Sequence, residues 1–271
     1  MNKQRNILAF CLCLLATEVL FAQDTNDEMT YYFENRVKSL YEFMARFNAE
    51  EIPPYLEVSD SALRRKCVFS LFDFQANGEK NDNFKDYVSF ASYVDSNHYK
   101  LSYIDSLWYA EASCLMEYKG KEINLNIVLR YERIRDDFFR WCLVGVNGLL
   151  KNSILSSNIW GSISPIQHEV NFIELDGVIN SDADNICGYV SLYTEISQLS
   201  YFVALVREKT LKFISCEGIT YHFLNIPGYI FRVNEFNRKD ENAGWLISHI
   251  QQCDDEVLDE YLKLLLGSKE N

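Results

Sequence analysis

The chain has 271 residues, a formal net charge of −13 and a pI of about 4.8. A chain this acidic is repelled by phosphate backbones and by anionic lipid surfaces, and no basic, aromatic-studded stretch offsets that, so a nucleic-acid partner is excluded on composition. Hydrophobic residues at 48% and aromatics at 14% supply enough apolar surface for packed cores, which excludes wholesale disorder.

Lys3 and Arg5 open the chain with positive charge, and an apolar run from Ile7 extends to Phe21. Leu20-Phe21-Ala22 then places a small residue before Gln23. Positive, apolar, small is the order of a secretory signal peptide. The run is interrupted by Glu18 and falls short of the roughly 20 residues a membrane span needs. Residues 1–22 are therefore read as a signal peptide cleaved at Ala22-Gln23, and the mature chain as periplasmic or secreted, without a transmembrane segment.

In the first half, Phe33, Val37, Leu40, Tyr41, Met44 and Phe47 recur at three- and four-residue spacing, which predicts a helix over 30–49. Pro53-Pro54 stops it, and Ser59-Asp60-Ser61 can cap a second helix running to about Phe74. Residues 75–83 are polar and hold an Asn-Gly pair, a loop signal, before a third helix over 84–94. The period then changes to two. Trp108, Ala110, Ala112, Cys114, Met116 and Tyr118 alternate with more polar residues; a turn follows at Lys119-Gly120-Lys121. Ile123 to Tyr131 alternates in the same way, and Phe138 to Val146 forms a third strand.

Residues 147–165 are rich in Ser, Asn and Gly and mark a boundary between a first α+β domain (23–150) and a second (165–271). The second half repeats the order. Helices are expected over 169–179, 185–196 and 198–208; strands over 211–224, 229–236 and 245–253; and a final helix over 254–266 with Asp254, Asp255 and Glu256 at its positive end. Arg140-Trp141-Cys142-Leu143 and Gly244-Trp245-Leu246-Ile247 end the two meanders alike, so the second unit reads as a degenerate copy of the first, with Trp141 and Trp245 as matching core anchors. The fold class is α+β, with helices packed on one face of a curved antiparallel sheet.

The helix from Tyr31, the helix from Ser59, the hairpin, and the last strand Trp141-Cys142-Leu143-Val144-Gly145-Val146 make the first half resemble the nuclear transport factor 2-like superfamily, a cystatin-like, cone-shaped α+β roll. Small tandem proteins of this kind occur among exported bacterial proteins of unknown function. The resemblance implies no single activity, because the superfamily hosts isomerases, dehydratases, binding modules and interaction domains. Its enzymes place an Asp, His or Tyr inside the cone. Tyr109, Glu111 and Arg140 are the catalytic candidates here, provided the sheet faces opposite to its apolar alternation.

No G-x-S-x-G, Walker loop, G-x-G-x-x-G or H-E-x-x-H motif occurs, so the main nucleophile and cofactor signatures are missing. His98, His168, His222 and His249 lack metal-ligand spacing; His222 and His249 fall inside strands and read as hydrogen-bonded sheet residues. Asp182-Ala183-Asp184-Asn185 lacks the glycine and glutamate of a calcium loop and reads as a helix cap. No metal or cofactor is expected. Cys11 and Cys13 fall in the leader; Cys67, Cys114, Cys142, Cys187, Cys216 and Cys253 remain, as buried thiols or with at least one disulfide, and spacing chooses no pairing. The resulting expectation is an exported, non-catalytic binding or interaction protein whose partner is a protein or a small molecule. The alternative is a small isomerase- or dehydratase-like enzyme using the first-domain cone.

Overall fold

The alternation read in residues 108–147 becomes three antiparallel strands, β1 (Trp108–Tyr118), β2 (Lys121–Arg135) and β3 (Phe138–Asn147). These come from a computed structural model, which describes residues 35–59, 61–75, 84–135, 138–149, 161–191, 198–240 and 242–267. The signal segment with its Ala22-Gln23 cleavage and the middle of the expected 147–165 boundary lie outside the described residues. In the second half, β4 (Leu211–Ile226), β5 (Tyr229–Phe236) and β6 (Gly244–Gln252) form another meander. β1 pairs with β4, so all six strands join one open antiparallel sheet in the order β3-β2-β1-β4-β5-β6.

Five α-helices are described: α1 (Leu40–Phe47), α2 (Leu63–Ser70), α3 (Phe84–Ser96), α4 (Gln198–Arg207) and α5 (Asp255–Leu265). Ser39 caps α1 by accepting from the Glu42 N–H at 3.2 Å, and the Glu42 carboxylate accepts from the Lys38 N–H at 2.8 Å. Asp254 caps α5 through the Val257 N–H at 2.9 Å.

Two helices are shorter than their periodicity predicts, for the same reason. Val37 forms a parallel bridge with Gly244, and Phe72 forms one with Ile247. The Trp245 N–H donates to Val37 O at 2.9 Å, and the Ile247 N–H donates to Leu71 O at 2.7 Å. Helical turns at 37 and 72 thus give way to backbone pairing that covers the open edge of β6. Gly244 is required there. Its φ is +88°, and a Cβ would fall 2.0 Å from Val37 O.

The expected helices over 169–179 and 185–196 are replaced, within the described residues, by 3₁₀ turns at Pro165–Val170 and Ala183–Tyr189 and a π turn at Gly177–Ser181. Asn171 and Phe172 break the helix with φ of 52° and 50°. The gain is the burial of the Phe172 ring, edge-on to Trp141 at 5.1 Å. Ile163 and Val190 bridge to Trp141 and Leu143, which covers the β3 edge as well.

The main core fills one face of the sheet. Trp108, fully buried at its centre, stacks on Phe223 at 5.7 Å and meets Trp141 edge-on at 5.0 Å. From α1, Phe43 stacks on Phe223 and Phe47 on Phe231, each at 5.9 Å; Phe90 of α3 meets Phe231 at 5.4 Å. The turns at Pro165–Val170 and Ala183–Tyr189 pack instead on β3, the turn at Gly177–Ser181 packs on β4, and α4 touches both strands. The early helices therefore lie over the late strands, and the late helical segments over β3 and the start of β4. Trp141 and Trp245 are both buried.

Not every helix takes that face. α5 crosses the opposite one, over a smaller cluster of Tyr109, Val128, Val144, Leu224 and Ile230. Gly145 permits its approach, since a Cβ there would lie 2.8 Å from the Leu266 Cα. Among the described residues, no helix is long and apolar enough to cross a membrane.

Candidate functional site

The face opposite the main core carries the chemistry. Register places Cys142, Arg130, Tyr109, His222, Arg232 and His249 in one row across the six strands. Side chains two residues apart on a strand share a face, so Glu111 lies beside this row on β1. Tyr261 of α5 reaches down to it.

A continuous chain of hydrogen bonds runs through part of this row, from Asn126 through Glu111 and His222 to Tyr261. Glu111 Oε1 accepts from Asn126 Nδ2 at 2.9 Å, and Glu111 Oε2 lies 3.0 Å from His222 Nε2. His222 Nδ1 lies 2.6 Å from the Tyr261 hydroxyl. An ionised Glu111 can only accept, so Nε2 carries a proton and donates to it; Nδ1 accepts from the Tyr261 O–H in the neutral ring and donates to the Tyr261 oxygen in the charged one. Burial pushes the Glu111 carboxyl up, but the hydrogen bond and charge of His222, with help from Asn126, outweigh it and hold the group below its ordinary 4.5. The Tyr261 phenol is pushed up to about 12, mainly by burial. Burial first, then the Arg232 charge, lowers His249.

The order carboxylate, imidazole, phenol is that of a proton relay. Its geometry here is closed: His222 is 3% exposed and both ring nitrogens are engaged within the protein. Its direct effect is to fasten α5 across the β1–β4 junction.

Of the sequence candidates, Tyr109 and Glu111 share this face, and neither points into the main core; the sheet faces as its apolar alternation indicates. Arg140 is two strands away, opposite Glu132. It donates to Gly188 O at 2.9 Å and to Gly161 O, pinning the irregular 161–191 segment to β3. Beside it, Arg130 Nη2 contacts Glu132 at 2.5 Å and donates to the Ser191 hydroxyl at 3.1 Å. The structure thus brings Glu111 to His222 and does not bring Arg140 to either. Asp182 accepts from Asn185 Nδ2 at 2.6 Å and from the Tyr189 hydroxyl at 2.8 Å, bonds local to its own turn. Among the described residues, no group of three His, Cys, Asp or Glu side chains is arranged to hold a metal.

His222, Asn126, Arg232 and Tyr261 were not singled out for a site from the sequence. The alternation of Ile219, Tyr221 and Phe223 does send His222 to the outer face, but nothing local shows that β4 lies beside β1. Shallow cavities open elsewhere among the described residues. One, of about 370 Å³, lies beside the middle of β4 at Cys216 and Gly218. Another, of about 390 Å³, is a groove between α1 and residues 100–103, lined by Tyr41, Met44, Asn48, Leu101 and Tyr103. Comparisons with protein-family models, with curated proteins and with solved structures find no match to this chain.

Proposed function

We propose that this chain is an exported, non-catalytic binding protein that engages a partner protein through the groove beside α1. The observation that carries this reading is the filling of the helix-covered sheet face. Trp108, Trp141, Phe223 and Phe231 are fully buried there and occupy the space in which a pocket enzyme would need room for substrate. The groove has the makings of a protein contact. Tyr41 at its lip is 64% exposed and Ile104 nearby 68%, while Glu50 and Lys100 pair at 3.2 Å on the rim. An aromatic anchor within a polar rim is the usual composition of a contact hot spot.

The resemblance of the first half to the nuclear transport factor 2-like superfamily belongs to the same proposal, with the second half as its degenerate copy. What supports it is that each half runs from helical segments into a three-stranded meander, with a buried Trp in the last strand of each.

Native mass spectrometry of protein purified from its own host tests the reading. A stoichiometric protein complex that Tyr41→Glu dissociates, with the fold unchanged, is the expected result. A retained small molecule in place of a protein, or a partner held equally well by the variant, would overturn it.

A further inference from the structure

Cys114 of β1 and Cys216 of β4 stand directly opposite one another in the ladder that joins the two meanders. Facing residues of an antiparallel pair have Cα atoms about 4.5–5.5 Å apart, inside the range of about 4.4–6.8 Å that a disulfide spans. The strands need not move to bridge them. The register is irregular on both sides, between Ser113 and Cys114 and between Leu115 and Met116, so the ladder is loosened where side-chain adjustment is needed. Each thiol donates to a carbonyl of its own strand, Cys114 Sγ to Ala112 O at 3.5 Å and Cys216 Sγ to Gly218 O at 3.6 Å.

Their access differs. Cys114 is buried at 2% exposure. Cys216 is partly exposed and lines the 370 Å³ cavity with Ser113, Glu217, Thr220 and Asn234. The cavity exists because β5 pairs with β4 only from Thr220 onward, leaving Cys216 beyond its end.

We propose that Cys114 and Cys216 are a redox pair, in which exchange with an external disulfide passes through a mixed disulfide on Cys216 and closes a cross-strand disulfide between β1 and β4. In the first step the Cys216 thiolate attacks one sulfur of the external disulfide. An S–S bond forms to Cys216, the external S–S bond breaks, and one external thiolate leaves. In the second step Cys114 gives its proton to that thiolate and attacks the Cys216 sulfur, expelling the second external thiolate. Two protein thiols are oxidised by two electrons, and one external disulfide is reduced to two thiols. The neighbouring Cys114 thiol lowers the pKa of Cys216 and so favours its thiolate, while the neighbouring Cys216 and burial raise that of Cys114. Attack thus begins at the accessible sulfur, and the buried one resolves.

Incubating the reduced, folded chain from Gln23 with oxidised glutathione, then alkylating in denaturant and digesting with trypsin, tests the proposal. The expected product has lost two hydrogens and joins peptide 101–119 to peptide 213–232, each of which contains one cysteine. Cys114→Ser should stop at glutathione held on Cys216. Cys216→Ser should leave Cys114 alkylatable. The proposal is overturned if both thiols are still alkylated in the wild-type chain, if the new bond joins other cysteines, or if Cys114 in the second variant takes glutathione as readily as Cys216 does in the first. Should a variant fail to fold by circular dichroism, the wild-type peptide map decides alone.

Discussion

Replacing Tyr261 by Phe isolates one bond of the chain that holds α5. The ring keeps its shape, so its packing beside Leu258 and Leu265 is retained, and only the hydroxyl 2.6 Å from His222 Nδ1 is lost. His222 is 3% exposed, so water cannot readily replace the missing hydroxyl. A buried polar group left without a partner costs about 1–3 kcal/mol. Against a total stability of about 5–15 kcal/mol, that loss is easily measured. Urea unfolding at pH 7.5, followed by the fluorescence of the four tryptophans, should show a lower midpoint with an unchanged slope. Amide exchange should quicken along α5 before it does in β1 or β4. A variant within about 0.5 kcal/mol of wild type, the range of ordinary surface substitutions, would refute the clamp.

Other expectations follow from the same structure. Gly145→Ala places a Cβ 2.8 Å from the Leu266 Cα, a backbone atom that cannot swing aside, so thermal denaturation should report a loss of about 1–3 kcal/mol; an unchanged midpoint would show that α5 docks elsewhere. Trp141→Ala and Trp245→Ala should each cost about 3–5 kcal/mol in urea titrations, and a neutral effect at either would end the idea of matching anchors. Acid should destabilise the fold in two stages. His168 and His249 are held below their ordinary 6.5, chiefly by burial, and Glu111 and Glu132 below 4.5, so in each case the unfolded chain takes up protons first as the pH falls. Their contribution is full above 6.5 and is lost on descent, first through the lowered histidine values and then, below 4.5, through the lowered carboxylate values. Glu51, raised mainly by burial, opposes the second stage only weakly because it is largely solvated. Urea midpoints that rise between pH 7.5 and 4 would contradict this, and Glu111→Gln should flatten the lower stage alone.

The strands were legible because one face of each is buried and the other is not, which writes a period of two into residues such as Trp108, Ala110, Ala112, Cys114 and Met116. The helix ends were not. Val37 and Phe72 fit a helical stripe, yet a distant strand edge offers their backbones better partners. The 165–191 segment failed in a related way, since the burial of Phe172 against Trp141 outweighs the cost of its positive φ. The polar face was half legible. Alternation assigns Glu111 and His222 each to an outer face, but the pairing of β1 with β4 depends on the whole sheet and leaves no local mark. The same gap separates Cys114 from Cys216 in any reading of the sequence alone.

The interleaving of early helices with late strands has a consequence in time. Arg36 hydrogen-bonds to Asn237, 201 residues further along, and the rings of α1 rest on Phe223 and Phe231. A chain emerging from its N-terminus has α1, α2 and α3 in hand long before the surface they cover exists. Contacts this remote in sequence demand loop closure before any burial rewards it, and so slow folding. The packing of α1 in the native core must therefore wait for the last hairpin. A core that closes only when the last hairpin arrives leaves the apolar faces of the early helices without their native partners until then, a window in which they are open to misassembly.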